Sequence, residues 1–187
     1  SSAADAARQD PRRQLSDQLA RELAVPLPGA VTAFARALRH RHGETVAAVV
    51  FYGSCLRKRS TEGVLDFYVI VDDYRAAHGS RAMALANALL PPNVHYHELD
   101  HEGERLRAKY AVLSARDCAR GASPRRLDCR IWARFSQPAA LAWVRDDAAR
   151  DAVARVALRS CLTFVARAES ALARSGELSR FDSATLF

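Results

Sequence analysis

This sequence is short of the residues that build disulfide-linked, zinc-bound and membrane-spanning proteins. It has four cysteines, and none of them shows C-x-x-C spacing: Cys55, Cys118, Cys129 and Cys161. This pattern favours neither a disulfide framework nor a zinc site, and it is typical of a reducing compartment. No apolar run approaches the roughly 20 residues that cross a bilayer. The first residues are small and polar rather than an apolar signal-peptide core, so we expect a cytoplasmic protein.

The composition is that of a basic globular protein. Hydrophobic residues make up 49% of the chain and charged residues 26%, which is ordinary for a packed domain. The net charge of +7 favours an anionic partner such as a nucleotide, a nucleic acid or an acidic lipid. A basic protein can also sit peripherally on the inner membrane surface. We expect a disordered tail over residues 1–11, a core over residues 12–115 and a helical region over residues 116–187.

Two apolar runs on either side of a basic loop form the centre of the chain. Val46–Tyr52 and Val64–Val71 are rich in β-branched and aromatic residues, which predicts two buried strands. Gly53 and Ser54 end the first run, where a missing Cβ and a hydroxyl group let a phosphate approach the backbone. Asp66 lies at the mouth of the second run, where a carboxylate needs a cation or donors nearby. The pattern predicts a nucleoside triphosphate site at which Asp66 binds Mg²⁺.

Four sequence blocks extend this pattern. In chain order they are Tyr52-Gly53-Ser54, then Leu65-Asp66-Phe67 with Val71-Asp72-Asp73 and His78, then Lys109-Tyr110-Ala111-Val112-Leu113-Ser114, and last Ala133-Arg134 leading to Pro138. They resemble the motifs of the mitochondrial-type phosphatidate cytidylyltransferases (CDP-diacylglycerol synthases of the translocator assembly and maintenance family), within the nucleotidyltransferase superfamily. This sequence is shorter than a family enzyme and diverges from it: Arg59, Tyr74 and Gln137 stand where the family has Gln, Pro and Lys.

The resemblance implies a fold, a reaction and a set of residues. The fold is α+β, a polymerase-β-like nucleotidyltransferase with a mixed sheet flanked by helices and a C-terminal helical part. The reaction is the Mg²⁺-dependent transfer of CMP from CTP to phosphatidate, which gives CDP-diacylglycerol. Asp66 is then the metal ligand, Lys109 a second catalytic residue and Arg134 a nucleotide-binding residue. We expect Lys109 and Arg134 to point into the same cleft as Asp66.

The basic loop adds three candidate nucleotide-binding residues, Arg57, Lys58 and Arg59, whose charge would neutralise phosphate. For any one of them, a solvated position is the alternative interpretation. For Gly53 and Ser54 the alternative is an ordinary turn.

A second carboxylate is missing from the expected position. Superfamily members usually carry two, spaced two residues apart on one strand face, but Val64 and Tyr68 stand two residues on either side of Asp66. Asp72 and Asp73 lie roughly 20 Å along an extended strand and cannot share its metal. The substitutes that the sequence offers, without favouring one, are Glu62, Glu98 and Asp128.

Two other functions stay open on the sequence. One is a nucleotidyltransferase of the same fold with a soluble or macromolecular acceptor, such as tRNA or a protein. The other is a non-catalytic nucleotide-binding or scaffold protein, which the single carboxylate would allow.

Periodicity predicts the remaining elements. They are helices over Arg12–Leu23, from Pro28 to His42, over Tyr74–Leu90, over Asp128–Phe135, from Pro138 through Trp143 and over Asp147–Leu172, with a hairpin of Asn93–Leu99 and Leu106–Ser114. The last helix should bury one stripe: Val153, Val156, Ser160, Phe164, Ala168 and Leu172. Histidines near the second helix end and in the hairpin are interpreted as surface or sheet-face residues rather than metal ligands: His40, His42, His95, His97 and His101.

Overall fold

The computed structural model describes residues 11–74, 94–125, 129 and 131–175. Its helices are α1 Pro11–Leu23, α2 Gly29–His42, α3 Ser54–Lys58, α4 Ala115–Gly121, α5 Trp132–Phe135 and α6 Asp147–Ser175. Its strands are β1 Val46–Tyr52, β2 Val64–Val71, β3 Val94–His101, β4 Glu104–Ser114 and β5 Ala139–Val144. The fold is therefore α+β, with one five-stranded mixed sheet in the order β3-β4-β2-β1-β5.

The sheet is buried between two layers of helices. Along each strand, successive side chains point to opposite faces. One face packs with α2 around Phe34, Phe51 and Phe67. The other packs with α1, α4, α5 and α6 around a second cluster that includes Val50 and Ile70. Because both faces of β1 and β2 are covered, these strands read as continuous apolar runs rather than as alternating ones.

The strand pairing brings three distant segments to one place. β1 and β2 run antiparallel, so Tyr52 pairs with Asp66. β2 and β4 run parallel, and Lys109 pairs with Asp66 from the other side. The end of β1, the start of β2 and the middle of β4 therefore lie side by side, at one end of the central strand β2.

The two central strands have the predicted bounds, but the segment after Pro138 differs. We expected a helix through Trp143, and the structure has strand β5, which pairs antiparallel with β1. Its alanines favour a helix locally, yet the edge of β1 offers hydrogen-bonding groups that a strand satisfies. The region after residue 115 is thus not helical throughout, because it supplies a strand of the central sheet.

The hairpin is confirmed and is tighter than predicted. β3 and β4 are joined by Glu102 and Gly103 alone, both with positive φ (52° and 83°), as the twist of a two-residue hairpin turn requires. We expected the hairpin histidines on a polar face of the sheet, but two of them pack against aromatic side chains. His95 stacks on Tyr110 and His97 packs edge-on against Phe34, so these histidines face the α2 layer.

Two other expectations change at the ends of helices. His42 is buried beside Tyr110, with Nε2 3.3 Å from the hydroxyl group, rather than at the surface. In α6 the predicted stripe is buried at Val153 and Val156, but Phe164 is 51% exposed. Ser160 and Thr163 are buried as well, and no residue over 164–174 is buried.

Some expectations lie outside the described residues: the helix over Tyr74–Leu90, His78, Asp128 and the two chain ends. Part of the predicted basic loop is the short helix α3, which ends at Arg59 in the left-handed conformation (φ 52°). Within the described ranges, no helix is both long and apolar enough to cross a membrane.

Candidate functional site

The turn after β1 lies against the carboxylate of β2. Gly53 adopts φ 89°, and a Cβ built there would come 2.4 Å from Oδ2 of Asp66. Any side chain at this position would collide with the carboxylate, and the positive φ would strain it as well. Glycine is thus required on two counts, and Ser54 follows it as an exposed residue at the start of α3. The Gly-Ser turn and Asp66 form one compact site.

Asp66 is shielded from solvent and faces a cation. Its side chain is 13% exposed, whereas that of Lys109 is 53% exposed. Lys109 Nζ lies 3.4 Å from Oδ1 of Asp66. Parallel pairing of β2 with β4 places the two residues side by side, so the lysine reaches the carboxylate from the adjacent strand. Lys109 is therefore where the sequence predicted it, in the cleft of Asp66.

Arg134 reaches the same region from the opposite side. Its guanidinium group lies over the ring of Tyr52, 5.6 Å from the centroid. Tyr52 pairs with Asp66 across the sheet. Burial raises the pKa of the Tyr52 hydroxyl group, with a smaller lowering by Arg134 and a smaller raising by Asp66. Both charges therefore act on this one ring, which stays neutral at physiological pH.

An aromatic stack supports Arg134, and sequence reasoning missed it. Tyr52 stacks on Tyr68 with centroids 4.6 Å apart, and Tyr68 stacks on Phe135 at 5.4 Å. Burial also raises the pKa of Tyr68. The sequence did carry a signal for this stack. Tyr68 lies two residues after Asp66, and residues two apart on a strand share a face, so Tyr68 belongs on the face that carries Asp66.

The three basic loop residues do not gather around Asp66. Arg57 donates a hydrogen bond to Gln137 Oε1 at 3.3 Å, and Lys58 is exposed. Arg59 lines a separate cavity of about 660 Å³, which Asp66 does not line. The cavity walls are mainly apolar and include Val31, Phe51, Leu56 and Pro138. Among the described residues, Lys109 forms an ion pair with Asp66, and no ion pair joins any of the three loop residues to it. The nucleotide-binding role of these three residues therefore stays a prediction.

Of the substitute carboxylates, Glu62 and Glu98 lie in the described residues and Asp128 does not. Glu62 is exposed in the turn before β2. Glu98 lies on β3, two strands away, which is roughly 10 Å, and it pairs with Arg105 at 3.6 Å. Asp72 lies at the far end of β2, where Arg145 binds both of its oxygens at 2.6 and 3.2 Å.

The donor set fits a magnesium ion only in part. Oδ1 of Asp66 is buried and accepts no well-aligned hydrogen bond from the described residues, although Lys109 Nζ lies 3.4 Å away as an ion-pair partner. An oxygen left without a hydrogen bond, beside a glycine turn, suits Mg²⁺, which often takes one protein carboxylate and completes its shell with phosphates and water. In the described part of the chain, no group of three or more histidine, cysteine or acidic side chains could hold a metal. Asp66 is thus the ligand that these residues can offer.

Comparison with known proteins adds no relative: no protein-family model and no curated protein matches this chain. The resemblance to the cytidylyltransferases accordingly rests on the sequence blocks alone.

Proposed function

We propose that this protein is a magnesium-dependent nucleotidyltransferase that binds a nucleoside triphosphate at Gly53, Ser54 and Asp66. One observation carries the proposal: the glycine turn after β1 touches the half-buried carboxylate of β2, closely enough to exclude a Cβ. A glycine turn that admits phosphate next to a carboxylate that admits a metal is the minimum such an enzyme needs. The sequence blocks favour CTP as the nucleotide and phosphatidate as the acceptor.

The proposed reaction is a displacement at phosphorus. An oxygen of the acceptor phosphate forms a bond to the α-phosphorus of CTP, while the bond from that phosphorus to the α–β bridging oxygen breaks. Pyrophosphate leaves and CDP-diacylglycerol remains. Magnesium, when bound, supplies positive charge to the phosphates.

The protein's own part in this reaction is to position the phosphates and neutralise their charge. Gly53 and Ser54 would hold the β- and γ-phosphates through a backbone N–H group and a hydroxyl group. Lys109, which pairs with Asp66, and Arg134, which lies over the ring of the neighbouring Tyr52, would offset the charge that develops on the leaving pyrophosphate. A basic protein of this kind can work at an anionic membrane surface.

A second candidate is a nucleotide-binding protein without catalytic activity. The observation that favours it is the ion pair of Lys109 with Asp66, at 3.4 Å, which occupies the carboxylate with a lysine. Among the described residues, Asp66 also belongs to no group of three or more histidine, cysteine or acidic side chains that could hold a metal.

A transfer screen tests both candidates. CTP, ATP, GTP and UTP, each labelled at the α-phosphate, are incubated with phosphatidate vesicles, tRNA or total protein, with and without Mg²⁺. We expect Mg²⁺-dependent transfer of label from CTP to phosphatidate. Transfer to tRNA or protein would keep the enzyme class and replace the acceptor. Tight binding without transfer would favour the second candidate, and no binding of any triphosphate would refute both.

The variant Asp66→Asn tests the metal role directly. Transfer should fall at least a hundredfold, while the midpoint of thermal unfolding stays within a few degrees, since Asn keeps the shape of the side chain. Asp100→Asn is the matched control, because Asp100 is an exposed carboxylate of the same sheet that pairs with Arg105. A wild-type rate for Asp66→Asn at saturating Mg²⁺ would disprove the metal role.

A further inference from the structure

We infer that Tyr52 is a positioning residue, whose ring holds the Arg134 guanidinium group over the Asp66 site so that it can bind the polyphosphate of the nucleotide. This inference rests on the proposed function. It assigns a role to Tyr52, to which the proposed function gives none.

The first step of the argument concerns where Tyr52 lies. It is the last residue of β1, directly before Gly53, and it pairs with Asp66 on β2. Its side chain lies on the same sheet face as that of Tyr68, and the two rings stack at 4.6 Å with an interplanar angle of 16°. The ring is therefore fixed beside the carboxylate by strand pairing and by stacking.

The second step concerns how Arg134 is delivered. It is an exposed residue of α5, a helix of four residues that cannot hold a long side chain in place by itself. Its neighbour Phe135 is buried (2% exposed) and stacks on Tyr68. The helix is thus anchored through Phe135, and the next side chain back along the chain, Arg134, lies over Tyr52 at 5.6 Å.

The third step is chemical. The face of an aromatic ring attracts a guanidinium group through its quadrupole but offers it no hydrogen-bond acceptor. No described residue accepts a hydrogen bond from the Arg134 side chain, so its N–H donors can bind a ligand in the planar fork that matches phosphate. A carboxylate partner would hold the arginine in place just as well, but it would compete with phosphate for those donors. The ring orders the arginine and leaves its charge usable.

The test uses inorganic tripolyphosphate as the probe, because it has the phosphates of the nucleotide without the base. Dissociation constants are measured by calorimetry in Mg²⁺ for the wild type, Tyr52→Phe, Tyr52→Leu, Arg134→Gln and the double variant Tyr52→Leu/Arg134→Gln. Phe keeps the ring and should bind as the wild type does, within about twofold. Leu should weaken binding by about two- to fivefold, the range expected from one exposed cation–π contact. The double variant should be no weaker than Arg134→Gln alone, because Tyr52 acts through the arginine.

A matched control removes the other cation–π contact, between Arg39 and Trp143 at 5.7 Å. Trp143→Leu should leave the tripolyphosphate affinity unchanged. A second readout needs no phosphate: the side-chain NMR signals of Arg134 should be ring-current shifted in the wild type and in Tyr52→Phe, and unshifted in Tyr52→Leu. Tyr52→Met, with a flexible side chain that fills the space, replaces the Leu variant if that one fails to fold.

The outcomes separate the inference from the function on which it rests. If Arg134→Gln weakens binding but Tyr52→Leu does not, or if their effects add in the double variant, the positioning role is wrong and the proposed function stands. If the wild type binds neither tripolyphosphate nor any nucleoside triphosphate, the proposed function is wrong, and the positioning role falls with it.

Discussion

At the scale of single residues, the candidate site depends on the close approach of Gly53 to the Asp66 carboxylate. A Cβ at position 53 would meet Oδ2 at 2.4 Å, and the residue has φ 89°. Gly103 has a similar positive φ of 83°, but nothing lies within 4 Å of its Cβ position. Both glycines have a positive φ, but Gly53 also has ψ −160°, a backbone region that essentially only glycine adopts, and it alone lies against a carboxylate.

We predict that Gly103→Ala destabilises the fold by roughly 1–2 kcal/mol, the cost of an alanine at positive φ. Gly53→Ala should destabilise it by more, because its backbone conformation is essentially restricted to glycine and its Cβ would meet Asp66. Only Gly53→Ala should also abolish CTP binding, because the added methyl group displaces the Asp66 carboxylate. Urea unfolding measures the first effect and calorimetry with CTP and Mg²⁺ the second. Equal loss of CTP affinity in both variants would show that the site depends on general stability instead.

The ion pair of Lys109 with Asp66 sets two opposite effects against one another. The ammonium group of Lys109 neutralises the Asp66 carboxylate and so competes with a metal ion for it. The same group supplies positive charge to a bound phosphate. We predict that Lys109→Gln tightens Mg²⁺ binding by about two- to fivefold, the scale of a partly exposed ion pair. The same variant should weaken CTP binding, as measured by calorimetry with each ligand.

The control for this prediction is Arg107→Gln. Arg107 is an exposed cation two residues back on β4, opposite Val64 rather than Asp66. Arg107→Gln removes one positive charge, as Lys109→Gln does. If both variants changed Mg²⁺ and CTP binding equally, the cause would be bulk electrostatics, and a specific ion pair would be contradicted.

Among the elements, α6 shows how one helix divides into two environments. Its first half packs on the sheet, where Val156 is 7% exposed. In its second half Thr163 is buried, but Phe164 of the predicted stripe is 51% exposed. Val165, on the helix face opposite Val156, is 50% exposed. A continuous apolar stripe in the sequence is thus only partly buried, since burial depends on where the partner surface ends.

We predict that Val156→Ala lowers the free energy of unfolding by roughly 1–3 kcal/mol through lost burial and a residual cavity. Val165→Ala should change it by less than about 0.5 kcal/mol. Both substitutions remove the same atoms from the same helix, so urea denaturation compares burial alone. A large loss for Val165→Ala would mean that a further surface covers this half of α6.

For the whole molecule, β5 and α6 make the C-terminal region part of the core. β5 pairs with β1, and α6 packs on the sheet face that carries Val50 and Ile70. Without β5 and α6, β1 would be an edge strand, paired only with β2 and with one apolar face exposed to solvent. Such an arrangement favours aggregation.

We predict that a fragment of residues 11–115 does not fold on its own, whereas residues 11–175 unfold cooperatively. Thermal unfolding followed by circular dichroism, together with size-exclusion chromatography, makes the comparison. A cooperative unfolding transition in the shorter fragment would show that residues 12–115 are an independent domain, as the sequence had indicated.

The amino-acid sequence by itself determined the local parts of this structure. Two apolar runs bounded by glycine fix β1 and β2, and a polar turn with glycine fixes the β3–β4 hairpin, because these signals lie within a few residues of each other. The Gly-Ser turn and Asp66 could be placed together for the same reason: one short connection joins their strands.

Only the tertiary structure decided the rest. The alanine-rich segment Ala139–Val144 is a strand because β1 offers it an edge, which no local propensity reveals. Lys109 meets Asp66 through parallel pairing, and Arg134 reaches Tyr52 because Phe135 anchors its helix on Tyr68. The sequence blocks pointed to Lys109 and Arg134 but not to what holds them. These contacts join residues far apart in the chain, so their existence depends on how the helices and strands pack and not on the sequence around each residue.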